Sequence, residues 1–191
     1  VHVIEDEYCD GYGRAINIVN INIPISIIGE SREHCIVMGG LLMNGKKEDD
    51  VNVSNLTLRE SRGGGVTGNN GASMHLDNVS VENSAGHGVA VYCTKRSTMK
   101  NCNVSHSKGS GLGVAYGGLT KIDGNGTTIH HNCTNGERGY YGLQTWDSSS
   151  SIHLASYLTI EMISKNNGGG GNNGGTGKIK TVTNNTKEEK K

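Results

Sequence analysis

The stretch NLTLRESRGGGV at residues 55–66 determines the fold, because two later stretches repeat it without a gap. They are NVSVENSAGHGV at residues 78–89 and NCNVSHSKGSGL at residues 101–112, and each begins 23 residues after the one before. The repeats share columns of like residues, of which the clearest are Asn55, Asn78 and Asn101, then Ser61, Ser84 and Ser107, then Val66, Val89 and Leu112. A fixed period of this kind is typical of proteins whose repeats stack on one another.

Within each repeat, apolar and polar residues alternate as they do in a β-strand with one buried face. Leu56 and Leu58 would point inward, while Thr57 would point outward. The Asn column would occupy a turn, because Asn tolerates left-handed backbone and its amides can hydrogen-bond along the stack as an asparagine ladder. The Gly-x-Gly step before Val89 and its equivalents would supply positive φ at another corner.

We therefore predict an all-β fold, a single-stranded right-handed parallel β-helix (solenoid) with coils of about 23 residues. It would span residues 1–182 as one domain, followed by a polar tail at residues 183–191. The period loosens outside residues 51–123, and residues 132–141 are the natural place for an inserted loop. Residues 158–163 and 178–182 would form strands of a last coil, and we find no helical periodicity.

The composition agrees with a narrow core and limits the classes of partner. The chain has 30 Gly, no Phe and one Trp, and hydrophobic residues make up 33%. Its 18 basic and 18 acidic residues balance, so no nucleic-acid partner is predicted. No apolar run approaches the roughly 18 residues of a membrane span. The five Cys residues form no zinc-like spacing and are predicted to pack mostly in the core.

The pattern Asn-apolar-x-apolar followed by Ser-x-Gly-x-Gly-Val resembles the parallel β-helix repeats of the pectin-lyase-like superfamily. The stretch IPISIIGESREHCIVMGG at residues 23–40 is similar to the N-terminal coils of those proteins. The resemblance implies the fold and leaves the function open, because the superfamily includes polysaccharide lyases, hydrolases, epimerases, phage tailspikes and non-enzymatic scaffolds.

Two constellations are compared with the catalytic groups of that superfamily. Gly86-His87-Gly88 matches a motif that accompanies clustered aspartates in polygalacturonase-like members, but the neighbouring repeats offer no acidic pair beside it. We predict that His87 occupies a permissive turn. Asp77, Lys100 and Asp123 imitate the acidic and basic groups of the lyase-like members, although a structural ladder of ion pairs explains them more simply.

Metal ligands are considered at two further places. Asp49 and Asp50 could bind Ca²⁺, but they follow two lysines and are interpreted as a solvated loop. His130, His131 and Cys133, with His106 one coil away, could be ligands of a transition metal. Because adjacent strand residues point to opposite faces, we predict that His130 and His131 cannot act together. We predict no metal site and no cofactor.

We therefore predict a non-catalytic β-helix scaffold or binding protein, with a carbohydrate or a protein as its partner. The alternative is a polysaccharide lyase or hydrolase acting on acidic carbohydrate, and an ice-binding face is disfavoured because the outward column Thr57, Ser80, Asn103 is mixed. The predicted ligand site is the aperiodic segment at residues 132–147, which carries Arg138, Tyr140, Tyr141 and Trp146. Aromatic rings can stack on sugars and Arg can pair with carboxylates. A second possibility is that the aromatic residues cover an open edge of the stack.

Overall fold

The structure is a computed structural model that describes residues 2–3 and 17–182. The chain winds as a parallel β-solenoid with almost no helix. Its elements in chain order are β1 (His2–Val3), β2 (Ile18–Ile21), β3 (Ile25–Ile28), β4 (Ile36–Met38), β5 (Gly40–Met43), β6 (Asp50–Arg59), β7 (Val66–Gly68), β8 (Ser73–Glu82), β9 (Val89–Tyr92), β10 (Ser97–Lys100), β11 (Asn103–Ser105), β12 (Leu112–Ala115), β13 (Leu119–Asp123), β14 (Thr128–His130), β15 (Leu143–Thr145), β16 (Ser151–Ala155), α1 (Ile160–Ile163), β17 (Ser164–Lys165), β18 (Asn173–Gly175) and β19 (Lys178–Val182).

The strands form three faces, and every pairing among the described strands is parallel. Face 1 contains β3, residues 50–54 of β6, residues 73–77 of β8, β10, β13, β16 and β19. Face 2 contains β1, β4, the second halves of β6 and β8, β11, β14 and β17. Face 3 contains β2, β5, β7, β9, β12, β15 and β18. Its seven strands correspond to about seven coils.

The register predicted from the sequence is confirmed. Val66 pairs with Val89, which pairs with Leu112, and all three side chains are fully buried. On face 1 the same interval aligns Val53, Leu76, Met99 and Ile122. Like residues therefore stack on like through the whole interior, which is filled by Val, Leu, Ile and Met. Of the Cys residues in the described part of the chain, Cys102 and Cys133 are buried, Cys35 is partly buried and Cys93 is exposed.

The corner between faces 1 and 2 is formed by the Asn column. Asn55, Asn78 and Asn101 have φ of 55°, 54° and 51°, and Asn is one of the few residues that adopt this region readily. The side-chain amide of Asn78 donates from Nδ2 to Oδ1 of Asn55 at 2.9 Å. Oδ1 of Asn101 instead accepts a long hydrogen bond, 3.4 Å, from the backbone N–H of Gly126.

The corner between faces 2 and 3 corrects the expected role of the Gly-x-Gly step. Positive φ occurs earlier in the coil, in a column formed by Glu60, Asn83, His106, His131 and Asn166. The glycines of the step are needed for space. A Cβ added to Gly88 would overlap Cγ1 of Val104 and lie 2.8 Å from both the carbonyl oxygen of Gly111 and Oγ of Ser107. These glycines therefore let one coil approach the next.

The later coils deviate from the period by outward insertions and one helical turn. A two-residue insertion around Gly124–Gly126 precedes β14, and the loop predicted at residues 132–141 occupies residues 131–142, before β15. Both insertions leave the strand register intact, because Leu112 still pairs with Leu143. The expected strand at residues 158–163 is wrong, because residues 160–163 form α1 and no residue of this range lies in a strand. Thr159 caps this turn by accepting a hydrogen bond from the backbone N–H of Met162.

The predicted tail at residues 183–191 lies outside the described part of the chain, in which the last strand, β19, ends at Val182.

Among the residues described, no helix has the length and apolarity needed to cross a membrane.

The packing of the glycine step predicts the effect of adding one methyl group. Replacing Gly88 by Ala should lower the free energy of unfolding by about 1–3 kcal/mol, because the methyl group overfills the interface between coils. Chemical denaturation followed by circular dichroism measures this. Gly139→Ala is the matched control, since a Cβ there meets nothing within 4 Å. Equal stability of the two variants would contradict the packing role.

Candidate functional site

The inserted loop at residues 131–142 is fixed to the coils around it by hydrogen bonds. Nε2 of Gln144 donates to the carbonyl oxygen of Gly139 at 2.7 Å, and the backbone N–H of Tyr141 donates to Oγ of Ser110 at 3.2 Å. The carbonyl oxygen of Tyr140 accepts from the N–H of Gly170 in the next coil at 2.8 Å. The loop therefore presents Tyr140 at a defined place beside face 3.

The outer surface of face 3 next to this loop has small residues at two of three stacked positions. Ala90, Gly113 and Gln144 occupy one outward column in register. A Cβ added to Gly113 would overlap the six-membered ring of Trp146, so the indole lies directly on the backbone of β12. Trp146 follows β15, and its N–H donates to the carbonyl oxygen of Val114 at 3.0 Å. Because Gly113 has no side chain, the indole of Trp146 can pack directly against the backbone of β12.

Aromatic rings from three successive coils, those of β9, β12 and β15, lie together on this surface. The ring centroids of Tyr92 and Trp146 are 5.9 Å apart with nearly parallel planes, 16° from one another. His87 packs edge-on against Trp146 at 4.9 Å and against Tyr140 at 5.2 Å. Tyr116 lies 5.9 Å from Tyr92 and is 73% exposed. We call this group, with Ala115 and Asp147, the aromatic cleft, and its volume is about 520 Å³.

His87 is held as a neutral imidazole with a defined tautomer. Its Nδ1 accepts a hydrogen bond from the backbone N–H of Ser110 at 2.9 Å. A nitrogen that accepts a hydrogen bond carries no proton, so the proton of the neutral ring is on Nε2. Burial lowers the pKa of His87 in agreement with this bond. The one N–H donor of the His87 ring, which lines the cleft, is therefore at Nε2, and the position of His87 is more constrained than the permissive turn we predicted.

Asp147 holds the turn at the rim of the cleft. Its Oδ2 accepts from the N–H of Tyr116 at 2.6 Å and from Oγ of Ser150 at 2.7 Å. Its Oδ1 accepts from the N–H of Ser149 at 2.9 Å and from the hydroxyl of the same residue. The hydroxyls of Ser149 and Ser150, which donate to the carboxylate, hold the pKa of Asp147 well below its usual range. Asp147 is therefore ionised at neutral pH.

The tyrosine at the centre of the cleft keeps its proton. Burial, and then the neighbouring Tyr116 and Tyr140 hydroxyls, raise the pKa of Tyr92 above its ordinary value. The cleft thus combines flat apolar ring faces with hydroxyl and imidazole groups at their edges. Binding sites for small polar molecules have this composition, in which apolar surface supplies contact and a few polar groups fix orientation.

Of the four residues predicted for the ligand site, the structure places two in the aromatic cleft and two elsewhere. Tyr140 and Trp146 line the cleft. Tyr141 is half-buried and packs against Gly170 and Gly174, where an added Cβ would overlap its ring, so it covers the last coil. Arg138 is exposed and is not among the residues that line the cleft.

Sequence reasoning missed Tyr92, Tyr116 and Asp147. The strand register would have indicated the meeting of Tyr92 and Trp146. Ala115 pairs with Tyr92 in β9, and Trp146 lies beside Ala115 in the next coil. Continuing the columns across the inserted loop would have placed Tyr92 and Trp146 on the same outer face.

The geometric argument against the histidine cluster is wrong. His131 has φ of 53° and belongs to a corner, so its side chain does not alternate with that of His130. Nδ1 atoms of the two rings lie 2.7 Å apart, and His106 stacks on His131 with centroids 5.4 Å apart. Burial, and then the charges of His131 and His106, lower the pKa of His130. Among residues 2–3 and 17–182, no three His, Cys, Asp or Glu side chains are arranged to hold a metal ion.

The acidic groups considered for catalysis or for Ca²⁺ binding are engaged in local structure. Lys100 Nζ lies 3.9 Å from Oδ2 of Asp77, and both side chains are more than half exposed. Asp123 accepts from the hydroxyl of Tyr157 and from the N–H of Gly124. Asp49 accepts from the N–H of Lys46 at 2.7 Å within its own loop. Exposed ion pairs such as the first contribute little stability.

Comparison with known proteins agrees with the fold. A family model described as the right-handed β-helix region matches residues 25–157. This is more than half of the chain, and it is consistent with the pectin-lyase-like superfamily. No curated protein and no solved structure matches the chain.

The lowered pKa values of His87 and His130 predict a pH dependence of stability. Unfolding restores their ordinary pKa near 6.5, so the unfolded chain binds more protons below that pH. The free energy of unfolding should therefore be fully developed above about pH 6.5 and fall as the pH is lowered toward 5. Denaturant titrations between pH 5 and 7.5 measure the slope.

The matched variant for this measurement is the double substitution His87→Asn, His130→Asn. Oδ1 of an asparagine can replace Nδ1 as an acceptor and does not titrate in this range. The variant should be less stable at pH 7.5 but should show a shallower pH slope. An unchanged slope would show that other groups cause the dependence.

Proposed function

We propose that this chain, which belongs to the right-handed β-helix family, is a non-catalytic binding protein that holds carbohydrate in the aromatic cleft. The proposal is argued from the site, because enzymes and binding proteins share this fold. The observation that carries the proposal is the seating of Trp146 on the bare backbone of Gly113, with Tyr92 nearly parallel to it. Together they offer flat ring surface supported from below by a rigid sheet.

The polar groups of the cleft support a sugar ligand in particular. A pyranose ring has one face of C–H groups, which packs on an aromatic ring, and hydroxyls around its edge. His87 supplies an N–H donor beside Trp146, and the hydroxyls of Tyr92 and Tyr140 are further partners. Because these groups are fixed to neighbouring coils, little ordering is needed on binding.

The alternative of a lyase or hydrolase receives less support from the site. Hydrolysis of a glycosidic bond uses two carboxyl groups that flank the bond. Among the described residues that line the cleft, Asp147 is the carboxylate, and its oxygens are occupied by the turn. The Asp77–Lys100 pair lies on face 1, whereas the cleft lies on face 3. We therefore favour binding over catalysis.

The proposal predicts the outcome of removing the indole. Trp146→Ala should weaken binding of a sugar identified on a glycan array by roughly tenfold or more, because aromatic anchors contribute most of the energy at such sites. Isothermal titration calorimetry gives the change in Kd, and a melting curve verifies that the variant is folded.

Arg138→Ala is the matched control for this experiment. Arg138 is exposed on the same inserted loop but does not line the cleft, so its removal should leave Kd unchanged. Tyr141→Phe is a second control on that loop. Unaltered binding by folded Trp146→Ala would remove the cleft from consideration as the sugar site.

For the scaffold itself, we propose that the Asn column acts as an asparagine ladder that stabilises the corner between faces 1 and 2. Its support is the amide hydrogen bond between Asn78 and Asn55 in adjacent coils. Buried or partly buried amides that satisfy one another add specificity to the register as well as energy.

A pair of glycine substitutions tests the ladder. Asn78→Gly keeps the left-handed backbone and loses the amide, whereas Asn83→Gly does the same at an exposed corner whose amide makes no hydrogen bond to another described residue. Asn78→Gly should be less stable than Asn83→Gly by about 0.5–1.5 kcal/mol, the net value of one hydrogen bond. Equal unfolding free energies would mean that the Asn column serves backbone geometry alone.

A further inference from the structure

The charge of the aromatic cleft determines which sugars it can accept. His87 is neutral because its Nδ1 accepts from Ser110, and the raised pKa of Tyr92 keeps its phenol protonated. Asp147 is the one acidic side chain among the described residues that line the cleft, and no Lys or Arg is among them. A ligand in the cleft therefore meets a negative charge without a compensating cation.

The hydrogen bonds of Asp147 sharpen this conclusion. A carboxylate has about four acceptor positions. In this structure Oδ2 accepts from Tyr116 and Ser150, while Oδ1 accepts twice from Ser149. All four positions are used by the rim turn, so Asp147 has no acceptor left for a ligand hydroxyl. What it presents to a ligand is negative charge.

The remaining polar groups suit the oxygens of an uncharged sugar. The Nε2–H of His87 is an uncharged donor, so it can pair with a hydroxyl or ring oxygen but brings no positive charge to balance a carboxylate. Arg138, which would have favoured an acidic sugar, is exposed outside the cleft. We propose that the cleft binds uncharged pyranose rings and discriminates against uronates, an inference that rests on the carbohydrate-binding function proposed above.

The test uses a ligand pair with the same rings and linkages, in which the carboxyl groups are either ionised or methyl-esterified. Oligogalacturonides and their fully methyl-esterified forms have the same rings and linkages, and a panel of neutral gluco-, galacto-, manno- and xylo-oligosaccharides extends the comparison. Calorimetry should give a Kd at least about fivefold lower for the esterified form than for the free acid in 20 mM salt, because like charges repel. The difference should shrink in 500 mM salt, where charges at the surface are screened.

A variant that adds a positive charge to the cleft tests charge as the cause while the ligands stay the same. Tyr116 is 73% exposed at the rim, and its side chain can be replaced without opening the core. Tyr116→Lys places a cation beside Asp147 and should remove most of the discrimination against the free acid. Asn125→Lys is the control, because Asn125 is exposed in the insertion before β14, away from the lining of the cleft.

The outcomes separate this inference from the proposed function. Equal or tighter binding of the free acid, lost in Trp146→Ala, would overturn the inference and leave the carbohydrate site standing. Discrimination that persists in Tyr116→Lys would also overturn it, since charge would then not be its cause. Failure of all these sugars to bind in a manner that depends on Trp146 would overturn both proposals.

Discussion

Backbone hydrogen bonding between successive coils is the constraint on which this structure depends. Each coil is joined to the next by parallel pairing at the spacing of about 4.8 Å that adjacent strands require. Since the spacing is fixed, a residue in one coil lies directly over its equivalent in the next, and inward positions must be filled by side chains that stack. The columns Val53, Leu76, Met99, Ile122 and Val66, Val89, Leu112 are the result. A core built in this way is narrow, which explains how a chain without Phe can bury a continuous interior.

The same constraint decides where the chain can vary. At the corners, a column of Asn and a column from Glu60 to Asn166 take left-handed backbone, while glycines such as Gly88 keep the coils in contact. Insertions are accommodated outside the strands, and Leu143 still pairs with Leu112 after the loop at residues 131–142. The rigid coils therefore support a variable segment, an arrangement in which loops acquire binding functions.

The aromatic cleft depends on both the regular coils and the inserted loop. Gly113 and Ala115 belong to the regular repeat and leave room above face 3. Trp146 reaches this space because it follows β15 in register with Ala115, and Tyr140 reaches it from the inserted loop. The protonation states of His87 and Asp147 determine the charge of the cleft. His87 is kept neutral by burial and a backbone donor, and Asp147 is kept ionised by the hydroxyls that fix its turn. A neutral donor and a saturated carboxylate favour ligands without negative charge.

The sequence by itself determined the fold, the period of about 23 residues and the position of the inserted loop, because stacking repeats like residues in columns that are visible along the chain. It also indicated Tyr140 and Trp146 as candidates, from the concentration of aromatic residues in an aperiodic segment. Only the tertiary structure decided that these two rings meet His87, Tyr92 and Tyr116, that Tyr141 covers the last coil, and that Arg138 lies outside. The direction of these side chains depends on contacts with coils distant in sequence, such as the contact of the Trp146 ring with Gly113. The convergence of His106, His130 and His131 was missed for a related reason, since a left-handed residue at a corner breaks the alternation from which strand faces are predicted.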